Sequence, residues 1–157
     1  MKKLIFTTVL MLLSNLIFAQ SQWSITYNEA DELKETEACY VNSFITENGD
    51  AFICQNNHEG VRIYTNKGIF HTFNNFVQLT IGFYVDNKLI EKKEVWLFVP
   101  SGQANIAYSN RYKQKKIGKK IKEHLKTSGD IRIIAKRYSD PDFDIIIPKN
   151  PEIKITL

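Results

Sequence analysis

Apolar and polar residues alternate along much of the chain. The clearest example is FVQLTIGFYV (76–85), in which Val77, Leu79 and Ile81 alternate with small or polar residues. A period of two puts one side-chain face in a core and the other in water, so this segment predicts a β-strand. Further segments rich in β-branched and aromatic residues lie between turn signals: WSITY, EACYVNSFIT, AFICQNN, GVRIY, GIFHTF, LIEKKEVWLFVP, NIAYS, DIRIIAKRY and FDIIIP.

The segment near 113–127 has a different period. Ile117, Ile121 and Leu125 recur every four residues, which puts them on one stripe of an amphipathic helix, and Gly129 follows the end of that stripe. Short strands joined by tight turns, with one helix, predict a mainly β (α+β) fold, an antiparallel sheet or sandwich of about eight strands. The chain is long enough to bury its own core and has no internal repeat, so we expect one domain.

The N-terminal segment has the pattern of a secretory signal peptide. Two lysines precede an apolar run (4–18) that ends at Ala19. The run is shorter than the ~20 residues that span a bilayer, so no membrane span is predicted. We expect cleavage after Ala19, which makes 1–19 the signal peptide and leaves 20–157 as a single β-rich domain that is periplasmic or secreted.

Charge is segregated along the chain. Loss of Lys2 and Lys3 with the signal peptide lowers the formal net charge from +4 to +2, so the exported domain is nearly neutral. Within it, residues 111–126 carry eight cations and one anion, whereas residues 20–60 carry eight anions and one cation. The two blocks either face each other in the fold or form separate poles. In the second case the basic pole would steer an acidic partner.

The basic block supplies the candidate partner-binding residues. Like charges four residues apart in a helix each cost about 0.2 to 0.5 kcal/mol, so local stability does not explain the block. Export argues against nucleic acid as the target, and no aromatic residue alternates with the lysines to stack on bases. We therefore expect a protein or an anionic envelope component as partner, contacted by Lys115, Lys116, Lys119, Lys120 and Lys122.

Two cysteines, Cys39 and Cys54, are predicted in an oxidising compartment, where a disulfide is the usual outcome. The strong hairpin signal Asn48-Gly49 places Ser43 opposite Cys54. Cys39 then lies on the same face but four residues away, roughly 13 Å at ~3.4 Å per residue. A disulfide needs Cα atoms within about 7 Å. The pair is therefore either a disulfide closed by a bulge or bend around Cys39, or two separate thiols.

Motifs for catalysis or metal binding are missing from the sequence. There is no G-x-S-x-G, no H-E-x-x-H and no cysteine with a basic neighbour to activate it. Cys54 and His58 lie four residues apart, but zinc needs three or four protein ligands. Asp140, Asp142 and Asp144 begin like a calcium loop and lack its later glycine and glutamate. We predict no catalytic residue, metal or cofactor.

The sequence predicts a buried position for one tryptophan and an exposed position for the other. Trp96 lies in a stretch (95–99) that is apolar on both faces, which favours a central strand and a core position. Trp23 lies in a strand near the start of the exported domain. If that strand is at an edge, Trp23 would be exposed and would suit a protein partner.

The order of these features resembles a class of exported bacterial β-sandwich proteins. The features are, in chain order, Trp23 and a strand that ends in Cys54 (AFIC). They are followed by two strands joined by a polar turn, the second of which contains Trp96 (FYVDNKLIEKKEVW), and by a helix that leads into a basic strand (IKEHLKTSGDIRIIAKR). This order is similar to that of the VasI type, associated with type VI secretion, and of the invasion-associated locus B type. The resemblance implies a non-enzymatic envelope protein. Because Cys39 comes early and no cysteine lies near the C-terminus, no functional residue is carried over.

The leading hypothesis is an exported, non-enzymatic binding module that recognises a protein or an anionic envelope component. One alternative is a small hydrolase acting on envelope glycan, because acidic residues are plentiful and a carboxylate pair suffices for that chemistry. Another is an inhibitor or immunity-type protein with one stoichiometric partner. The sequence predicts no oligomeric state.

Overall fold

A computed structural model describes residues 22–32, 35–66, 70, 72–103, 105–109, 112–136 and 141–155. The predicted signal peptide, 1–19, lies outside the described residues. The elements, in chain order, are β1 (Gln22–Asn28), β2 (Cys39–Ile45), β3 (Ala51–Gln55), β4 (Val61–Tyr64), β5 (Phe76–Val85), β6 (Lys88–Phe98), β7 (Ile106–Tyr108), α1 (Tyr112–Thr127), β8 (Ile131–Lys136) and β9 (Pro141–Ile147).

The predicted fold class is confirmed. In the described part of the chain, nine strands form one sheet in which all neighbours pair antiparallel, in the order β1-β2-β3-β4-β7-β6-β5-β8-β9. The sheet is curled into a half-barrel, so the chain adopts the single-sheet alternative and not the sandwich. GIFHTF, one of the predicted strands, forms none in its described part, although Phe70 enters the core and its ring lies 5.6 Å from that of Phe143.

The core lies between the inner face of the sheet and the helix. Along β5 the alternation places Val77, Leu79, Ile81 and Phe83 in the core, as the sequence predicts. The predicted helical stripe meets them there, because Ile117, Ile121 and Leu125 all belong to the same buried cluster. No helix in the described part of the chain is both long and apolar enough to cross a bilayer.

The helix also bridges the weakest joint of the sheet. β6 pairs with β7 through one residue pair, Phe98 with Tyr108, whereas it pairs with β5 along its whole length. Beyond that joint α1 contacts β6 directly, and the Gln114 side-chain amide donates to the Trp96 carbonyl over 2.6 Å. On its other side, Gly118 lies against the backbone of the turn between β3 and β4. The helix therefore joins the two halves of the half-barrel.

The C-terminal segment draws the two ends of the sheet together. The Trp23 indole in β1 donates to the carbonyl of Pro148, just after β9, over 3.0 Å. Further along, the Asn42 side chain in β2 donates to the Lys154 carbonyl and accepts from the Lys154 amide, both over 2.9 Å. The amide of Asn150 donates to the Leu125 carbonyl at the end of α1. Since Asn42 is fully buried, these bonds fix the tail against the fold.

Both tryptophan predictions were wrong. Trp96 is 48% exposed on the outer face of β6, because its neighbour Leu97 takes the inward position. Trp23 packs against the core, with its ring 5.5 Å from that of Phe44 and 6.1 Å from that of Phe52. The C-terminal segment that covers Trp23 is more than a hundred residues away in sequence, so the local pattern carries no sign of it.

Candidate functional site

The five predicted partner-binding lysines divide into two groups, and Lys122 belongs to the fold. It is 3% exposed, and its ammonium donates to the main-chain carbonyls of Gln55 and His58. These carbonyls belong to the turn between β3 and β4. Burial of the ammonium lowers the pKa of Lys122 below its ordinary value, an effect that the nearby Cys54 and Glu59 partly oppose. Lys122 therefore stabilises that turn from within the fold. Its prediction as a partner contact was wrong.

Lys120 is also engaged within the molecule. Its ammonium forms a hydrogen-bonded ion pair with Glu91 of β6 and lies 5.1 Å from the centre of the Phe83 ring. This hydrogen bond from Lys120 is the main reason that the pKa of Glu91 is lowered. The contact holds the helix to the sheet, so Lys120 is only partly available to a partner.

The other three lysines, Lys115, Lys116 and Lys119, lie exposed on the helix surface. Lys115 approaches Glu59 at 3.9 Å, and Lys119 approaches Glu123 at 3.7 Å one turn along the helix. Pairs of this kind between exposed side chains contribute about 0 to 1 kcal/mol. Lys116 has no ion pair with any residue that the structure describes. These three ammonium groups therefore keep most of their capacity to bind an anion.

The acidic block does not cover this surface. Among the described side chains, Lys115 pairs with Glu59 and so joins residues 20–60 to the helix. Asp50 of the acidic block is buried, where its carboxylate accepts from the Thr65 hydroxyl and the Asn66 amide. Lys115, Lys116 and Lys119 are therefore open to solvent, and of these three Lys115 pairs with a described residue of the acidic block.

One of the exposed lysines, Lys115, adjoins a groove on the outer face of the sheet. Its basic end is a cavity of about 250 Å³ between β3, β4, β7 and α1, to which Arg62, Tyr108, His58 and Lys115 contribute. A cross-strand row explains the arrangement, because Ile53 pairs with Arg62 and Arg62 pairs with Tyr108. Directly opposed side chains share a face, and the Arg62 guanidinium lies 5.6 Å from the centre of the Tyr108 ring.

The groove continues into an acidic end. A second cavity of about 520 Å³ shares Gln55, His58 and Arg62 with the first and is lined on its far side by Glu29, Glu35 and Glu37. All three glutamates are exposed. Exposed carboxylates at one end of a groove suit electrostatic recognition.

The cysteines are free thiols, so the alternative with separate thiols holds. The predicted register was wrong by one residue: Cys54 pairs with Asn42, and Ser43 pairs with Ile53. Cys39 lies three residues from Asn42, and an odd spacing along a strand puts the two cysteines on opposite faces. The Cys39 sulfur accordingly accepts from Gln55 in the outer groove over 3.8 Å. Burial raises the pKa of Cys54 to about 12, so its thiol is protonated and unreactive at neutral pH.

The other candidate residues either contact the fold itself or lie outside the described residues. No cluster of three metal-ligating side chains occurs among the residues that the structure describes. Asp144, from the calcium-like segment, pairs with Arg132 across β8 and β9, and Asp140 lies outside the described residues. His124 is buried, and its Nε2 bonds to the carbonyls of Tyr84 and Asp130 at 3.0 and 3.2 Å.

Sequence reasoning missed Arg62 and Tyr108. Their contact depends on the pairing of β4 with β7, two strands more than forty residues apart, so no spacing in the sequence indicates it. Comparison of the chain with protein-family models, curated proteins and solved structures gives no match. The geometry of the surface is therefore the basis for a function.

Proposed function

We propose that the protein is an exported, non-enzymatic binding module that recognises an anionic group on an envelope protein or envelope component. The contact surface consists of Lys115, Lys116 and Lys119 together with the adjoining basic end of the outer groove, Arg62 and His58. We call it the basic surface. Export, and with it a periplasmic or secreted location, is part of this proposal and rests on the signal-peptide pattern.

One observation carries the proposal: these three lysines are exposed and contribute little to the fold. Two other lysines of the same helix are used internally, Lys120 with Glu91 and Lys122 with the turn carbonyls. Lys115, Lys116 and Lys119 have only distant surface pairs or none among the described residues. Like charges at this spacing weaken a helix. A partner that supplies negative charge would account for their presence.

Arg62 adds directional recognition to this surface. A guanidinium presents several N–H donors in a plane and binds carboxylate or phosphate groups through two parallel hydrogen bonds. The Tyr108 ring beside it restricts its position, and the Tyr108 hydroxyl donates to the Gln103 side chain over 3.2 Å. The lysines would then steer the partner, and Arg62 would orient it.

The test is reversal of charge in the variant Lys115→Glu/Lys116→Glu/Lys119→Glu. A matched control, Lys88→Glu/Lys92→Glu/Lys154→Glu, reverses three exposed lysines that lie outside the helix. Both variants change the net charge equally, so a general charge effect would affect them alike. The immobilised proteins are incubated with solubilised envelope extract, and the captured components are quantified by mass spectrometry. We expect the helix variant to lose at least about tenfold in capture, equivalent to 1.4 kcal/mol, and the control to retain it.

Equal capture by the wild type and the helix variant would refute the proposal. One captured protein at a fixed 1:1 ratio would identify the inhibitor or immunity-type form of the same binding function. Loss of capture in both variants would show that net charge, and not the basic surface, governs the interaction.

A further inference from the structure

β1 is the end strand of the sheet, and its sequence lacks the usual protection of an edge. Its seven residues, QWSITYN, include no charge and no proline. Tyr27 is 54% exposed, and no strand of the described chain pairs with its outer edge. β9, at the opposite end, begins with Pro141 and contains Asp142 and Asp144. Charges and proline at an edge discourage pairing with another chain, so β1 is the edge at which pairing is favoured.

The hydrogen bonds of β2 show which backbone groups of β1 point away from the sheet. The Asn56 amide donates to the Tyr40 carbonyl over 3.1 Å, and the Thr46 amide donates to the Asp50 carbonyl over 2.9 Å. Hydrogen-bonded residues alternate along an antiparallel strand. The even-numbered residues of β2 therefore point to β3, and the odd-numbered residues point to β1.

The same alternation defines the outer edge of β1. The odd residues of β2 pair with even residues of β1, for example Ser43 with Ser24. The N–H and C=O groups of Trp23, Ile25 and Tyr27 consequently point away from the sheet. These six groups form a ladder that a second antiparallel strand can complete.

The side chains of β1 form a chemical palindrome about Ile25. Read from both ends, Gln22 matches Asn28 (amides), Trp23 matches Tyr27 (aromatic rings), and Ser24 matches Thr26 (hydroxyls). When two copies pair antiparallel about a two-fold axis, a residue at one distance before the centre faces the residue at the same distance after it. Each side chain would then face one of its own kind, and aromatic and hydroxyl pairs across strands are favourable.

We propose that two copies of the protein associate through their β1 strands, antiparallel and centred on Ile25, to form one continuous sheet across the dimer. The outward groups of Trp23, Ile25 and Tyr27 make the main-chain bonds. The exposed Tyr27 ring, whose centre already lies 5.1 Å from that of the tilted Tyr40 ring, covers the edge of the partner's Trp23. The interface is small, so the dimer is concentration-dependent. This inference does not rest on the proposed binding function.

A charge-swap pair tests both the interface and its register. Ser24 and Thr26 are exposed, and they face each other across the proposed axis. Ser24→Lys/Thr26→Lys would oppose lysine to lysine twice and raise the dimer dissociation constant about tenfold or more. Ser24→Lys/Thr26→Glu would oppose lysine to glutamate twice and keep the dimer. Sedimentation velocity over a range of concentrations gives the dissociation constants, and circular dichroism checks that both variants fold.

The expected result is a wild-type dimer, a monomeric Lys/Lys variant and a dimeric Lys/Glu variant. A wild type that stays monomeric at millimolar concentration would overturn the proposal. A Lys/Lys variant that dimerises as well as the wild type would also overturn it, because the association would then use another surface. Equal weakening of both variants would exclude the register centred on Ile25.

Discussion

Replacement of Gly129 by alanine is expected to lower the free energy of unfolding by about 3 kcal/mol. A Cβ at this position would lie 2.0 Å from the carbonyl oxygen of Tyr84, a contact that no rotamer change can relieve because the neighbour is backbone. The same Tyr84 carbonyl bonds to His124, and the Gly129 amide donates to the His124 carbonyl. Any shift would therefore disturb the end of α1 together with the turn after β5.

The matched control is Ser128→Ala, one residue earlier and exposed to solvent. We expect that change to alter the free energy of unfolding by less than about 0.5 kcal/mol. Chemical denaturation of both variants, followed by circular dichroism, makes the comparison. If Gly129→Ala unfolds at the same denaturant concentration as the wild type, Gly129 does not lie this close to the Tyr84 carbonyl.

Lys122→Ala is expected to destabilise the fold by about 2 kcal/mol, because two main-chain carbonyls lose a charged donor in a buried position. The carbonyls of Gln55 and His58 belong to the turn that also carries Glu59. The control is Lys116→Ala, which removes an exposed lysine of the same helix and should be nearly neutral. Similar losses from both changes would contradict the division of the helix lysines into internal and surface groups.

The pH dependence of this loss provides a second readout. Burial lowers the pKa of Lys122 in the folded state below its ordinary value of 10.5. Between the lowered pKa and 10.5 the unfolded chain binds more protons than the folded chain, so the wild type gains stability as the pH rises through this window. The alanine variant lacks the gain. The difference in free energy of unfolding between the wild type and Lys122→Ala should therefore be larger just below pH 10.5 than at neutral pH. A difference that does not change with pH would show that the ammonium is not buried.

The periodicity of apolar residues correctly predicted those elements in which all the side chains of one face meet the same core. The alternation in β5 places Val77, Leu79 and Ile81 correctly, because every second residue of a half-buried strand meets the same core. The stripe of α1 is correct for the equivalent reason with a period near four. Neither pattern depends on knowing which strands are neighbours in the sheet.

The register predicted for β2 and β3 was wrong because the turn between them has a different length. The sequence Asn48-Gly49 predicted a two-residue hairpin loop. In the structure the Thr46 amide donates to the Asp50 carbonyl and Gly49 has a φ of +80°, so the loop has three residues and ends on a left-handed glycine. The Thr46 hydroxyl stabilises this form by accepting from the Asp50 amide over 3.1 Å. One added loop residue moved every pair of the hairpin and put the cysteines on opposite faces.

The candidate site was predicted only in part, because a helical charge block shows where the cations are but not what they contact. Glu91 is 29 residues from Lys120, and His58 is 64 residues from Lys122. These long-range partners remove two lysines from the predicted surface. The pairing of β4 with β7 adds Arg62 to it. The final surface thus depends on the topology of the sheet.

We propose that the exposed lysines of α1 meet a partner in the cell envelope. The most direct test places a photoreactive amino acid at position 116 in cells that produce the protein, with position 92, exposed on β6, as the control. After irradiation, crosslinked species that contain the protein are separated and identified by mass spectrometry. We predict one discrete adduct from position 116 that is absent at position 92. The same adducts from both positions, or none from position 116, would contradict the account.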